Sequence, residues 1–305
     1  MTLVTGLMAA LLLQTSAPPA GTAAADPPYV CDSCEEWNRP QAAFRLHANS
    51  YYVGTQGLGA ILIKTSGGLI LIDGGLPQSA ARISANIRAL GLRVQDVKLI
   101  LNSHAHYDHA GGIARLQRES GAAVAASPSS AFALHAGRPT PDDPQFGKDG
   151  SEGAFPKVAN VRVLKDREAI VLGDTAVTPH FTPGHTPGGT TWTWPSCEAG
   201  KCINLVYADS LNAVSLDGFR FLGGGSTKDP SSVFKRSIET VRALPCDVLV
   251  SVHPGFSGLF DKLTKRQTQT VPDPLIDPDA CKAYATSALD RLETRLKAER
   301  DGTVK

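Results

Sequence analysis

The sequence predicts an α/β protein on three observations. Short β-rich runs and amphipathic helical segments alternate in two successive blocks. One run, Val97 to Leu101, is apolar at every position but Lys98, the pattern of a strand buried on both faces. Gly-containing turns such as Ser66-Gly67-Gly68 separate the remaining runs.

In chain order, Phe44 to His47, Tyr51 to Thr55, Ala60 to Thr65 and Leu69 to Ile72 form a β-meander. Ser79 to Leu90 follows, with Ala80, Ile83, Ile87 and Leu90 at helical spacing, then the strand Val97 to Leu101 and a helix over Ile113 to Ser120. The second block has strands near Val161 to Leu164, Ala169 to Leu172, Ala176 to Phe181, Thr190 to Trp194 and Asn204 to Tyr207. A helix over Ser231 to Ala243, a strand over Val248 to Ser251 and a closing helix from about Asp279, with Leu289, Leu292 and Leu296 on one face, complete the chain. Pro139 to Phe155, rich in Pro, Asp and Gly, is the longest loop, and such loops are usually functional or mobile. Trp192 and Trp194 alternate with Thr and read as core or sheet-face residues, and Gly223-Gly224-Gly225 reads as a flexible connection, because it lacks the strand, Lys and helix of a phosphate loop.

With 305 residues, 42% hydrophobic and 19% charged, the chain can bury a sizeable core. Gly and Pro make up about a sixth of it, too little for a low-complexity or collagen-like protein. The net charge of +1, with no basic run beyond a sprinkling at Lys262 to Arg266, excludes nucleic acid as the expected partner.

Leu3 to Leu13 are mostly apolar, too few to span a bilayer, and lead into Ala23-Ala24-Ala25 before Asp26-Pro27-Pro28. This resembles a secretory signal over residues 1–25, although the usual opening Lys or Arg is missing and the first cation is Arg39. Residues 26–305 are then one soluble domain, expected in the periplasm as a monomer without membrane attachment. Cysteines stand at 31, 34, 197, 202, 246 and 281. In an exported chain an even set favours disulfides, with fifteen connectivities open in principle. Cys197 and Cys202 flank a turn-like insert and can bridge locally, Cys246 and Cys281 can staple the C-terminal part, and a local bridge is favoured for Cys31 and Cys34, whose C-x-x-C lacks the strand and helix of a redox motif.

The chemistry concentrates after the buried strand, in Asn102-Ser103-His104-Ala105-His106-Tyr107-Asp108-His109-Ala110-Gly111-Gly112. Three imidazoles and a carboxylate on one loop need a shared purpose, because each would otherwise have to find its own polar partner in one crowded place. Adjacent Asp108 and His109 cannot easily share one tetrahedral ion with both His104 and His106, so two sites side by side are expected. His185, in Gly184-His185-Thr186-Pro187-Gly188, and His253, in His253-Pro254-Gly255, each lie just past a predicted strand and complete them. His47, His135 and His180 fall outside this pattern, with His180 near enough to His185 to support it from behind.

H-x-H-x-D-H, G-H-T-P-G and H-P-G together resemble the motifs of the metallo-β-lactamase fold, a four-layer αββα sandwich. More narrowly, the chain is similar to subclass B3 metallo-β-lactamases from about Trp37 to the last helix, including Ile72-Asp73-Gly74-Gly75-Leu76-Pro77, Tyr207-Ala208-Asp209-Ser210-Leu211 and Cys281-Lys282-Ala283-Tyr284. The resemblance implies two Zn2+ ions, one on His104, His106 and His185, the other on Asp108, His109 and His253. It implies hydrolysis of small-molecule β-lactams (penicillins, cephalosporins and carbapenems) by a zinc-bound hydroxide, conferring antibiotic resistance, with Asp108 orienting the nucleophile. It also implies that Ser210 grips the substrate carboxylate and that Phe146 lines the groove, while Asn212 stands where the family has a second hydroxyl.

A thioesterase or lactonase of the same fold is the main competitor, since a carboxylate usually bridges the metals there, and the position of Asp209 decides between them. A zinc-storage protein is disfavoured, because a buffer gains nothing from open coordination positions.

Overall fold

The computed structural model describes residues 25–147, 151–223 and 229–304. The expected export signal, except Ala25, lies outside the described residues, as do Gly224 and Gly225.

Among the described residues, twelve strands form two sheets. The first holds β1 (Phe44–His47), β2 (Ser50–Tyr52), β3 (Ile61–Thr65), β4 (Gly68–Ile72), β5 (Val97–Leu101), β6 (Ala123–Ala126) and β7 (Val161–Val163), in sequential order. The meander β1 to β4 is antiparallel, and β4 to β7 run parallel. The second sheet takes β8 (Ile170–Leu172), β9 (Thr175–Phe181), β10 (Thr190–Glu198), β11 (Lys201–Ala208) and β12 (Val248–Ser251), ordered β12-β11-β10-β9-β8. The helices are α1 (Cys34–Trp37), α2 (Ser79–Ala89), α3 (Tyr107–Ala110), α4 (Ile113–Ser120), α5 (Pro128–Ala136), α6 (Pro230–Arg242), α7 (Leu259–Arg266) and α8 (Ala280–Arg300).

Period-two alternation sorts the apolar side chains into layers. Ile61, Ile63, Ile70, Ile72, Leu99 and Leu101 face Val177, Trp192, Trp194, Leu205, Tyr207 and Val250 between the sheets. The other face of the first sheet, Leu62, Leu71, Ile100 and Val124, packs on Ile83, Ile87, Ile113, Leu116 and Leu134 of α2, α4 and α5. Val206, Ala208 and Leu249 of the second sheet pack on Phe234, Ile238 and Val241 of α6 and on Ala288, Leu292 and Leu296 of α8. The result is the expected αββα sandwich. Trp192 and Trp194 are core residues whose indole N–H groups donate across the sandwich to Asn102 O (3.2 Å) and Ser50 Oγ (2.9 Å).

All six cysteines are bonded: Cys31–Cys34, Cys197–Cys202 and Cys246–Cys281. Cys197 and Cys202 are direct cross-strand partners in the β10–β11 hairpin, whose turn residues Ala199 and Gly200 both take positive φ (50° and 79°), as a two-residue hairpin of the right-handed twist requires.

The end of α8 is tied down by Glu299, a buried carboxylate that accepts from the backbone N–H groups of Phe221 (2.9 Å) and Leu222 (2.9 Å) and from Arg295 Nε (2.8 Å). Burial alone would push its carboxyl up, but the Arg295 and backbone donors win and hold it below the usual range. Stability from this group is therefore present above the ordinary glutamate pKa and lost as pH falls through the depressed one. Glu299→Ala strands the two N–H groups and is expected to cost about 2–4 kcal/mol in a denaturant titration near neutral pH.

Candidate metal centre

Strands β4 and β5 are parallel neighbours, and β9, β11 and β12 share one direction in the second sheet, so their C-terminal ends deliver several loops to one edge of the sandwich. The H-x-H-x-D-H loop leaves β5 there, His185 follows β9, Ser210 follows β11 and His253 follows β12.

Asp73, just after β4, ties these loops together. It is fully buried and accepts from Ser103 N (2.7 Å), Ser103 Oγ (2.6 Å), Asn102 Nδ2 (3.1 Å) and, across the sandwich, Tyr207 Oη (2.9 Å). Its backbone sits in the left-handed region (φ 66°), which Asp tolerates better than most residues.

Two groups of donor atoms result. In one, His104, His106 and His185 bring ring nitrogens within 4.8 Å of one another. In the other, Asp108 Oδ2 lies 3.2 Å from His109 Nε2 and 3.3 Å from His253 Nε2, and the two nitrogens are 3.3 Å apart. A tetrahedral ion with ligands at about 2.0–2.1 Å spaces them about 3.3–3.4 Å apart, so this triangle has the dimensions of one face of a zinc site. The groups adjoin, with His104 and His109 ring centroids 4.4 Å apart.

The partners behind the rings set which nitrogen faces the cavity. His104 Nδ1 donates to Asp209 Oδ1 (2.8 Å), His185 Nδ1 to the Asn212 carbonyl (2.8 Å) and His253 Nδ1 to the Gly57 carbonyl (3.1 Å). Each acceptor places the proton on Nδ1 and leaves the Nε2 lone pair inward. His106 is reversed: Nε2 donates to both Asp143 oxygens (3.1 Å each), which turns the Nδ1 lone pair inward. Buried His104 Nε2 has no hydrogen-bond partner among the described residues. An orphaned buried nitrogen amid converging lone pairs is costly unless a cation fills the space, so the donor set fits a metal.

For His104 and His185 the electrostatics agree. Burial, reinforced by the imidazoles of His109, His185 and His106, holds His104 far below the usual histidine range. Burial and then His106 push His185 down to about 3. Both rings are thus neutral ligands at neutral pH. For Asp108, burial opposes ionisation, but the adjoining rings of His109 and then His253 outweigh it and keep the carboxyl well below its ordinary value.

The sequence-derived ligand candidates all meet at this edge, and Ser210 and Asn212 line the same cavity. Phe146 is half-buried and is not among the lining residues, where its neighbour Gln145 stands instead. His180 does not back His185; its Nε2 bonds Thr193 Oγ1 (2.8 Å) on the adjoining strand. Asp73 and Asp143, and Asp209 in its role on His104, were not legible as supports, although Asp143 lies in the long loop singled out by its composition. Asp209 has no exposed surface and sits behind His104 rather than between the two groups. Gly189 of the G-H-T-P-G-G run makes room for it, since a Cβ there would press on Asp209 Oδ2.

Residues 60–199 match the metallo-β-lactamase superfamily. Among solved structures, the chain is similar to Rm3 metallo-β-lactamase (48% identity, TM-score 0.85, covering 89% of this chain and 100% of that one). It is also similar to MEM-A1, a subclass B3 metallo-β-lactamase from a soil metagenome library (47% identity, TM-score 0.83, covering 87% and 99%). Among curated proteins, a hydroxyacylglutathione hydrolase of Anaeromyxobacter dehalogenans is 28% identical over 64% of this chain, which spans only 59% of that relative's length.

Proposed function

The chain belongs to the metallo-β-lactamase superfamily and, within it, to subclass B3, and from that premise we propose that it is a dinuclear zinc hydrolase that opens β-lactam rings. His104, His106 and His185 would hold one ion, and Asp108, His109 and His253 the other. When bound, the ions supply a water acidified to near neutral pH and Lewis-acid polarisation of the lactam carbonyl.

The protein's own part is positioning. Asp143, Asp209 and the carbonyls of Gly57 and Asn212 fix four imidazole tautomers, so no ring has to reorganise during the reaction. Asp108, wedged between His109 and His253, orients the attacking group. Ser210 and Asn212 offer a hydroxyl and an amide to the substrate carboxylate. Trp37 and Phe256 flank the His253 ring, at centroid distances of 5.2 and 6.2 Å, and shield that side from water.

The observation that carries the β-lactam reading over a thioesterase or lactonase is Asp209. Those activities call for a carboxylate bridging the metals, whereas Asp209 is spent on His104 Nδ1. Asp209→Ala is accordingly expected to weaken zinc at the first group about 10- to 100-fold, as loss of an outer hydrogen-bond partner does, read by competition with a chromophoric chelator.

Three disulfides require an oxidising compartment, which supports export to the periplasm. Among the described residues no helix is long and apolar enough to cross a membrane. The test is turnover of a penicillin, a cephalosporin and a carbapenem before and after chelation and zinc restoration, with a lactone and a glutathione thioester alongside. Chelator-sensitive, zinc-restored β-lactam hydrolysis is expected, and turnover of thioester or lactone alone would move the substrate class.

A further inference from the structure

The cavity over the two histidine groups extends well past them. Its volume is about 1060 Å3, just above the roughly 300–1,000 Å3 of ordinary small-molecule sites. Beyond His253, Trp37 and Phe256 its wall passes to α7 and its C-cap, where Phe260, Leu263, Thr264 and, at the cap, Gln267 line it. These positions follow the i, i+3, i+4, i+7 spacing, so they form a single helix face, apolar at two positions and polar but uncharged at the other two.

That face is neutral because neighbouring charges are engaged elsewhere. Lys262 Nζ donates to Asp277 (2.7 Å), and Arg266 pairs with Asp273 (2.7 Å) and donates to the Arg45 carbonyl (2.7 Å). From the N-terminal segment, Glu36 and Arg39 also line the cavity and pair with each other at 3.1 Å. Phe256 keeps 44% of its surface exposed, and Leu263 is only half-buried. Apolar and aromatic surface thus stays open to solvent in a lobe continuous with the reacting centre, bordered by the amides of Gln56 and Gln267. Such a surface gains from covering by an apolar group with a few hydrogen-bonding atoms.

We propose that this lobe is a substrate subsite for a neutral, aryl-bearing substituent of the β-lactam, with Leu263 and Gln267 as its specificity-determining residues. The inference rests on the β-lactamase reading. Two kinds of substituent share this chemistry, the acylamino side chain and the substituent on the fused ring, and matched substrates distinguish them.

The experiment uses the zinc-loaded enzyme and two substrate pairs. One pair is a penicillin with a free amine and its phenylacetyl derivative; the other is two cephalosporins with the same acyl group and either a methyl or a neutral heteroarylthiomethyl group at C3. Leu263→Asp is expected to lower kcat/KM about tenfold, through KM, for the aryl-bearing member of one pair and to leave its partner within about twofold. The responding pair identifies the substituent. Leu263→Met should retain the preference. Gln267→Ala, an exposed change that leaves the fold intact, should reduce the same preference about threefold. Equal losses on both members of both pairs, or no loss while turnover persists, overturn the subsite alone. Absence of β-lactam turnover by the zinc-loaded wild type overturns the β-lactamase reading and the subsite with it.

Discussion

Asp108→Ala is expected to empty the second metal position and to lower kcat/KM for β-lactams on the order of 10³-fold, a few kcal/mol of transition-state stabilisation. Asp108 Oδ2 is the anionic corner of a triangle whose other corners, His109 Nε2 and His253 Nε2, lie 3.2 and 3.3 Å away. Without it, two neutral nitrogens remain 3.3 Å apart with no negative charge to hold a dication between them. Zinc content after dialysis and turnover should fall together, with secondary structure unchanged. A variant with full metal and full rate would refute the assignment.

Asp73→Ala is expected to be the most destabilising single change at this edge, about 3–5 kcal/mol, because it removes a buried carboxyl and strands several buried donors at once. Four donors from three residues converge on this carboxylate, one of them Tyr207 Oη from the opposite sheet. The substitution also puts Ala into the left-handed region (φ 66°), which it adopts less readily than Asp or Asn. The loop carrying His104 and His106 hangs from this anchor, so activity should fall with stability. The denaturation midpoint measures the effect, and a loss below about 1 kcal/mol would mean that Asp73 is not the anchor described.

The histidines and the carboxylate that gather at this edge were legible in the sequence, and the residues that hold them were not. Histidines and a carboxylate crowded after a buried strand announce a metal whatever their distant neighbours do. The supports pair across long separations, His104 with Asp209 and His253 with Gly57, and no local pattern encodes such pairs.

Among the elements, strands with β-branched or aromatic alternation were readable, while β6 was not: in Ala123–Ala126 only Val124 carries a strand signature, and pairing with β5 and β7 decides its state. Helix α5 went unread although Ser127 caps it and Pro128 opens it, since its run of small residues shows no amphipathic stripe. Helix α7 was masked by its cations, which drew notice as charge while Leu259, Phe260 and Leu263 supplied the helical spacing. In β10 the strand continues through Pro195 to Glu198, because its partner β11 extends the hairpin to the Cys197–Cys202 pair.

A crystal structure of the zinc-loaded protein with anomalous scattering at the zinc edge tests most directly whether two zinc positions form with Asp209 outside both. Two anomalous peaks are expected, one among His104, His106 and His185 and the other among Asp108, His109 and His253, with Asp209 still on His104 Nδ1. A single peak, or an Asp209 carboxylate bridging two, would contradict it.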